Sequence, residues 1–178
     1  MGSDDVFAGC ARATAKAMAA RDIDLVYGGG RLGLMGLIAD SVLAEGGEVH
    51  GVIPQALVDI EVAHTGLTEL YTVANMHERK AKMTDLADAF LALPGGIGTL
   101  DELFEAWSWN ALGYHAKPFC LLNIDGFWDG LIAFIDHATA SGFLSKQRRA
   151  QLLVAQTPEE AINLLDEAAA GAAQGMVW

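Results

Sequence analysis

Short apolar runs alternate with longer stretches of mixed polarity along the whole chain. Several runs, such as Phe-Leu-Ala-Leu at 90–93, are apolar at every position. Continuous apolar runs are typical of parallel strands that are covered on both faces. The strands are predicted at 23–27, 49–53, 70–73, 89–93, 119–123 and 152–154. The helices are predicted at 5–21, 34–45, 76–87, 100–112, 128–141 and 158–170.

This alternation predicts an α/β fold, a Rossmann-like doubly wound parallel sheet with helices on both faces and right-handed crossovers. We expect a single domain over residues 1–167, followed by a flexible tail over 168–178 that is rich in Ala and Gly. A doubly wound fold normally begins with a strand, whereas this chain begins with a predicted helix. The first strand of the fold is therefore expected to be missing from this chain.

Charge narrows the range of partners. The chain has 178 residues, with 11 Lys and Arg against 23 Asp and Glu, and a net charge of −12. Such a surface repels phosphate backbones and anionic membranes, so we expect neither a nucleic-acid nor a membrane partner. A small phosphorylated ligand is still compatible with this negative charge, because a local cluster of hydrogen-bond donors can outweigh the overall charge of the protein. There is no secretory signal and no apolar run of membrane-spanning length, which predicts a cytoplasmic protein.

A glycine-rich segment at 27–36 follows the first predicted strand and leads into a helix, where α/β sheets bind ligands. Gly28, Gly30 and Gly33 match the pattern G-x-G-x-x-G, which alone is a weak signal. Dinucleotide binding requires an acidic residue at the far end of the next strand, but Glu48 precedes that strand. Two interpretations stay open, a tight turn with close packing or close approach to a ligand.

The segment 94–102, Pro-Gly-Gly-Ile-Gly-Thr-Leu-Asp-Glu, is the most specific motif of the chain. Its glycines let backbone N–H groups approach an anion, and Thr99 can cap the following helix and contact a phosphate oxygen. We expect Asp101 and Glu102 in the first turn, where acids favour the helix dipole. Beside a bound phosphate they would repel the ligand, unless one acts on an uncharged part of it.

A third segment begins the helix predicted at 76–87. Arg79 lies near the apolar face that Met76 and Met83 mark, where a guanidinium can hold a phosphate with two hydrogen bonds. The alternative is a solvated basic stripe paired with acidic neighbours, which we accept for Lys82 but not for Arg79. We expect Arg79 and Glu102 to face the same sugar phosphate across the glycine loop.

Segments 28–36, 76–80 and 94–102 together resemble the LONELY GUY (LOG) family, and the likeness extends to 51–54, 61–64 and 117–118. Members of that family are cytokinin riboside 5′-monophosphate phosphoribohydrolases, and many bacterial ones also cleave AMP. The resemblance implies an N-glycosidase that releases a free base and ribose 5-phosphate from a purine (cytokinin riboside or adenosine) 5′-monophosphate. Family members were often labelled lysine decarboxylases, but no residue here suggests a pyridoxal-phosphate site.

The resemblance also implies roles for individual residues. Arg79 and Glu102 are the expected catalytic pair, Glu102 stabilising the ribose cation and activating water. Arg79 would either hold the 5′-phosphate or polarise the leaving base. The expected substrate-binding residues are Gly29, Gly30, Glu61, Met76, Lys80, Gly95, Gly96, Ile97, Gly98, Thr99, Leu100, Asp101 and Ser108.

Several expectations concern what accompanies the site. No His/Asp cluster has ligand spacing in the sequence, so we expect no metal and no cofactor. The aromatic residues Trp107, Trp109 and Tyr114 beside the site, together with the resemblance, predict a homodimer. The alternative function is a non-catalytic nucleotide carrier or sensor on the same fold, which needs no carboxylate at Glu102. The sequence leaves open whether AMP or a prenylated adenosine monophosphate is preferred.

Overall fold

The computed structural model describes residues 5–58 and 63–174. Within these ranges the chain divides into two compact units, with the boundary between Ala87 and Asp88. Each unit contains a three-stranded parallel sheet flanked by helices, which confirms the predicted α/β class with parallel strands. No helix of the described residues is both long and apolar enough to cross a membrane.

The first unit carries a parallel sheet of order β1-β2-β3. Its central strand is the most buried, because Val49, Val52 and Ile53 are fully enclosed. In the register, Leu25 pairs with Val49, and His50 pairs with Glu69. The elements of this unit are α1 (Asp5–Ala19), β1 (Leu25–Tyr27), α2 (Gly33–Ala44), β2 (Val49–Pro54), β3 (Glu69–Val73) and α3 (Met76–Leu86), with a 3-10 turn at Gln55–Leu57.

The second unit carries a parallel sheet of order β4-β5-β6. Every residue of its central strand is buried, as expected for a strand that is apolar throughout. The side chains of Leu103, Trp107, Phe119 and Trp128 form the centre of this core. The elements of this unit are β4 (Phe90–Ala92), α4 (Ile97–Ala111), β5 (Phe119–Leu122), α5 (Asp129–Ala140), α6 (Lys146–Gln151), β6 (Leu152–Ala155) and α7 (Pro158–Gln174), with a 3-10 turn at Ile124–Gly126.

All six predicted strands and all six predicted helices are present, most with ends shifted by one or two residues, and three larger differences remain. The helix α7 extends to Gln174, four residues beyond its predicted end at residue 170. Five of the six residues at 168–173 are alanine, the strongest helix former, which continues the helix. The helix α4 begins at Ile97, three residues before its predicted start.

The third difference is α6, which the sequence did not predict. Its sequence Lys-Gln-Arg-Arg-Ala-Gln lacks an apolar face, so hydrophobic periodicity could not indicate a helix. Hydrogen bonds hold it instead: the Ser145 hydroxyl accepts the Arg148 backbone N–H at 3.2 Å. The Arg148 guanidinium donates to the carbonyl of Ala111 at 2.8 Å, and Arg149 pairs with Asp136 at 2.5 Å.

Candidate functional site

The glycine turn of the first unit lies at the carboxyl end of β1. Gly28, Gly29 and Gly30 are all buried, and Gly29 has a φ of +78°, a conformation that side chains disfavour. Gly30 forms an antiparallel bridge with Ala63, and the His64 backbone N–H donates to the carbonyl of Gly29 at 2.9 Å. The turn is therefore held from the opposite side by residues 63–64.

Arg79 lies in the first turn of α3 and is only 5% exposed. Its Nη2 donates a hydrogen bond to the carbonyl of Gly28 at 2.9 Å, and its Nη1 lies 3.8 Å from the sulfur of Met76. A Cβ at Gly28 would lie 1.9 Å from Nη2, so only glycine leaves room for the guanidinium. Burial excludes the solvated-stripe interpretation for Arg79, and it assigns Gly28 a packing role that the glycine pattern left open.

The first turn of α3 is fixed by a cap that the sequence analysis missed. The Asn75 side chain accepts the backbone N–H of Glu78 at 3.0 Å, and the Glu78 carboxylate accepts the backbone N–H of Ala74 at 2.9 Å. This arrangement resembles a capping box, except that the Glu78 carboxylate accepts the N–H of Ala74, the residue before the cap; an Asn three residues before a Glu is its signal in the sequence. The cap sets the position of the turn that carries Arg79.

The two lysines of α3 differ in their surroundings. Lys80, a predicted substrate-binding residue, is partly buried. Lys82, which we expected to be solvated, places its ammonium 4.4 Å from the centre of the Tyr71 ring. Its cation–π contact is a structural role within the first unit.

In the second unit, the predicted phosphate loop leads directly from β4 into α4. Gly96 is the N-cap of the helix with no side-chain cap, so the prediction that Thr99 caps it is wrong. The helix begins earlier because Gly96 adopts an extended conformation and Ile97 is already helical. Thr99 instead packs against Gly95, where a Cβ would lie 2.1 Å from the threonine Oγ1.

The earlier helix start also moves the two acids out of the first turn. Asp101 and Glu102 lie in the second turn of α4, and both are exposed. The helix dipole acts mainly within the first turn, so it does not account for carboxylates at these positions. Gly96 and Gly98 have open space where a Cβ would lie, which leaves the backbone at the start of this helix accessible.

An open groove of 840 Å³ runs along α4. Ser108, a predicted binding residue, lines it, and the apolar side chains of Ile97 and Leu112 beside it are 84% and 72% exposed. Of the aromatic residues singled out in the sequence, Trp107 is a core residue, Trp109 lines the groove, and Tyr114 is 76% exposed.

The structure thus gathers the predicted residues in two local sets. In the first unit, Met76 and Arg79 contact each other, and Arg79 contacts the glycine turn that contains Gly29 and Gly30. The predicted substrate contact Glu61 lies outside the described residues. In the second unit, the residues from Gly95, Gly96, Ile97 and Gly98 through Thr99, Leu100 and Asp101 to Glu102 form the loop and first two turns of α4, with Ser108 further along the same helix.

Parallel strands that alternate with helices, with glycine-rich turns after β1 and β4, define a Rossmann-like α/β protein. Residues 35–165 match the family model described as "Possible lysine decarboxylase". The chain is 47% identical to the cytokinin riboside 5′-monophosphate phosphoribohydrolase LOG of Oryza sativa subsp. japonica, over 92% of this chain and 67% of that protein. It is 48% identical to the enzyme of that name from Rhodococcoides fascians, over 83% of this chain and 75% of that one. The chain belongs to the LOG family.

Solved structures support the same fold. The protein TM1055 is similar with a TM-score of 0.69 and 26% identity, over 94% of this chain and 91% of that one. The molybdenum cofactor binding protein of the phototrophic bacterium Rippkaea orientalis gives a TM-score of 0.70 at 19% identity, over 93% and 90% of the two chains. At such low identity the second likeness concerns the fold alone.

Proposed function

We propose that this chain hydrolyses the N-glycosidic bond of a purine nucleoside 5′-monophosphate and releases the free base and ribose 5-phosphate. The relatives named as phosphoribohydrolases are 45–49% identical to it over most of its length, which supports this reaction. The geometric observation that carries the proposal is the buried guanidinium of Arg79 on the Gly28 carbonyl. This hydrogen bond fixes the positive charge of Arg79 beside the glycine turn that follows β1.

Cleavage breaks the bond between the ribose C1′ and the base nitrogen as water adds to C1′, through a transition state with positive charge on the sugar. In the proposal, the carboxylate of Glu102 stabilises that charge and takes a proton from the attacking water. The proton that the base needs for departure comes from solvent or from a group on the protein. The open backbone of Gly96 and Gly98 at the start of α4 binds the phosphate, since helix N-termini favour anions.

The test of Glu102 compares base release from AMP by the wild-type chain, Glu102→Gln and Glu167→Gln. Glu167 is an exposed carboxylate on α7 and serves as the matched control. Loss of one acid–base carboxylate commonly lowers the rate ~10²–10⁴-fold. We expect such a loss for Glu102→Gln and none for Glu167→Gln. Wild-type rates in Glu102→Gln would refute its assignment, and AMP binding without any release of adenine by the wild type would favour a carrier.

The two roles considered for Arg79 make different predictions. If Arg79 holds the 5′-phosphate, Arg79→Gln slows the hydrolysis of AMP but does not change the rate measured with adenosine, which has no phosphate. If Arg79 polarises the leaving base, both substrates are slowed by the same factor. Parallel rates for AMP and isopentenyladenosine monophosphate identify the preferred base.

We also propose a homodimer formed through the exposed side of α4 and the residues that directly follow it, because Ile97, Leu112 and Tyr114 leave apolar side chains exposed there. Light scattering after size-exclusion chromatography is expected to give twice the mass of the 18.8 kDa chain. The variant Leu112→Asp is expected to be monomeric. Phe143→Asp, at a residue that is 90% exposed outside α4, is the control and keeps the dimer mass. A monomeric wild-type chain would refute this proposal.

A further inference from the structure

A cluster of metal-ligating side chains lies at the amino ends of β1 and β2, away from the glycine turn that follows β1. Asp24 directly precedes β1, Glu48 directly precedes β2, and His50 is the second residue of β2. One ligand atom from each of the three side chains lies within 4.8 Å of the others. The cluster is distinct from the residues assigned to nucleotide hydrolysis.

The strand register brings these donors together. Leu25 pairs with Val49 in the parallel ladder, and the Leu25 N–H donates to the carbonyl of Glu48 at 3.0 Å. Asp24 and Glu48 therefore lie side by side at the start of the two neighbouring strands β1 and β2. Glu48 and His50 are two residues apart, so their side chains project from the same face of the sheet. Two strands separated by more than twenty residues thus supply one set of donors.

The imidazole of His50 is held between two carboxylates. Its Nε2 lies 3.7 Å from a carboxylate oxygen of Glu48, and its Nδ1 lies 3.9 Å from one of Glu69, its partner in β3. The Nδ1 atom is buried and has no hydrogen-bond partner among the described residues. The Glu69 carboxylate also accepts a hydrogen bond from the Tyr71 hydroxyl, which restrains it. The ring therefore presents Nε2 to Glu48 and its buried Nδ1 to the exposed carboxylate of Glu69.

We propose that Asp24, Glu48 and His50 bind a divalent transition-metal ion, with Zn²⁺ as the best match. An imidazole nitrogen with two carboxylates is a donor set that Zn²⁺ accepts, whereas Mg²⁺ and Ca²⁺ prefer oxygen donors alone. His50 would bind through Nε2 and donate its Nδ1–H to Glu69. A carboxylate behind a ligating histidine fixes its tautomer and raises its basicity.

Distances and charge are compatible with this ion. Ligand atoms about 2.1 Å from a tetrahedral Zn²⁺ lie about 3.4 Å apart, so the donors need to approach by up to about 1.4 Å. Asp24 and Glu48 are exposed and can rotate to do so, while the partly buried His50 keeps its place. The two ligating carboxylates neutralise the ion, and water completes the coordination. Since the cluster lies at the amino end of the sheet, we expect hydrolysis to be independent of the metal.

The experiment is a zinc titration of the tag-free, chelator-treated full chain by isothermal calorimetry, with the variants His50→Gln and His137→Gln. His137 is an exposed histidine on α5 and is the matched control. We expect one Zn²⁺ per wild-type chain, binding weakened at least about 10-fold in His50→Gln, and unchanged binding in His137→Gln. Co²⁺ in place of Zn²⁺ is expected to give a visible absorption band that His50→Gln lacks.

Two further measurements keep the outcome decisive. If thermal unfolding shows that His50→Gln is not folded, Asp24→Asn, which changes one exposed oxygen, is expected to weaken zinc binding instead. Glu69→Gln is expected to weaken it about 10-fold without removing a ligand. Absence of saturable Zn²⁺ binding by the wild type, or equal affinity in the wild type and the folded ligand variants, would overturn the proposal. Base release from AMP reports separately on the proposed hydrolysis.

Discussion

Substitution of Gly28 by alanine tests how the position of Arg79 is determined. The new Cβ would lie 1.9 Å from Nη2 and 3.0 Å from Cζ of Arg79. Ordinary contact requires about 3.5 Å, so the guanidinium has to move by about 1.5 Å. That displacement breaks the 2.9 Å hydrogen bond from Nη2 to the carbonyl of Gly28.

The magnitude follows from the bond that is lost. A hydrogen bond from a charged group contributes roughly 1.5–3 kcal/mol, so we expect Gly28→Ala to lower the free energy of unfolding by about 2 kcal/mol. For a chain of this length, that corresponds to a decrease in Tm of about 4–8 °C. If Arg79 is catalytic, misplacement of its guanidinium by about 1 Å costs on the order of 10² in rate.

The assay is a double-mutant cycle read by thermal unfolding and by base release from AMP. In the Arg79→Ala background the clash is absent, so the two sites no longer interact. Gly28→Ala is then expected to change the free energy of unfolding by only about 0.3 kcal/mol, which corresponds to about 1 °C in Tm. Gly9→Ala is the control, because a Cβ there meets nothing within 4 Å. Equal effects of Gly28→Ala with and without Arg79 would refute the packing account. Wild-type stability and activity in the single variant would do the same.

Three further predictions concern other residues. Gly95→Ala is expected to displace Thr99, whose Oγ1 would lie 2.1 Å from the new Cβ, and to raise the KM for AMP. An unchanged KM in this variant would contradict the contact. Burial raises the pKa of the Cys120 thiol to about 12 and also raises the pKa of the Cys10 thiol. Neither thiol is therefore expected to react with a thiol reagent at pH 8 until the protein is unfolded. Rapid reaction of the native chain would count against their burial. Burial, and then the charge of Lys117, lower the pKa of His115 below 6.5, so this histidine binds a proton more tightly in the unfolded chain than in the folded one. The free energy of unfolding is therefore expected to fall as the pH decreases below 6.5. In urea titrations, His115→Gln is expected to remove that part of the pH dependence.

Hydrophobic patterning was sufficient to locate the strands and most helices. The residues of β5 are apolar at every position and buried at every position, because a central parallel strand is covered on both faces. The glycine motif at 94–102 and the basic segment at 76–80 were likewise recognisable from residue types and spacing. Helix α6 was not, since side-chain and backbone hydrogen bonds hold it and not an apolar face.

The amino-acid sequence was enough to predict the α/β class, the order of the elements and the residues that could bind or react with a ligand, because hydrophobic periodicity and glycine spacing are local properties. The tertiary structure was needed to show that Arg79 is buried on Gly28, 51 positions away in the chain, and that Gly96, not Thr99, is the N-cap of α4. It also decided that Asp24, Glu48 and His50 converge. These facts depend on strand register and on the space between side chains, and both arise only when distant segments pack together.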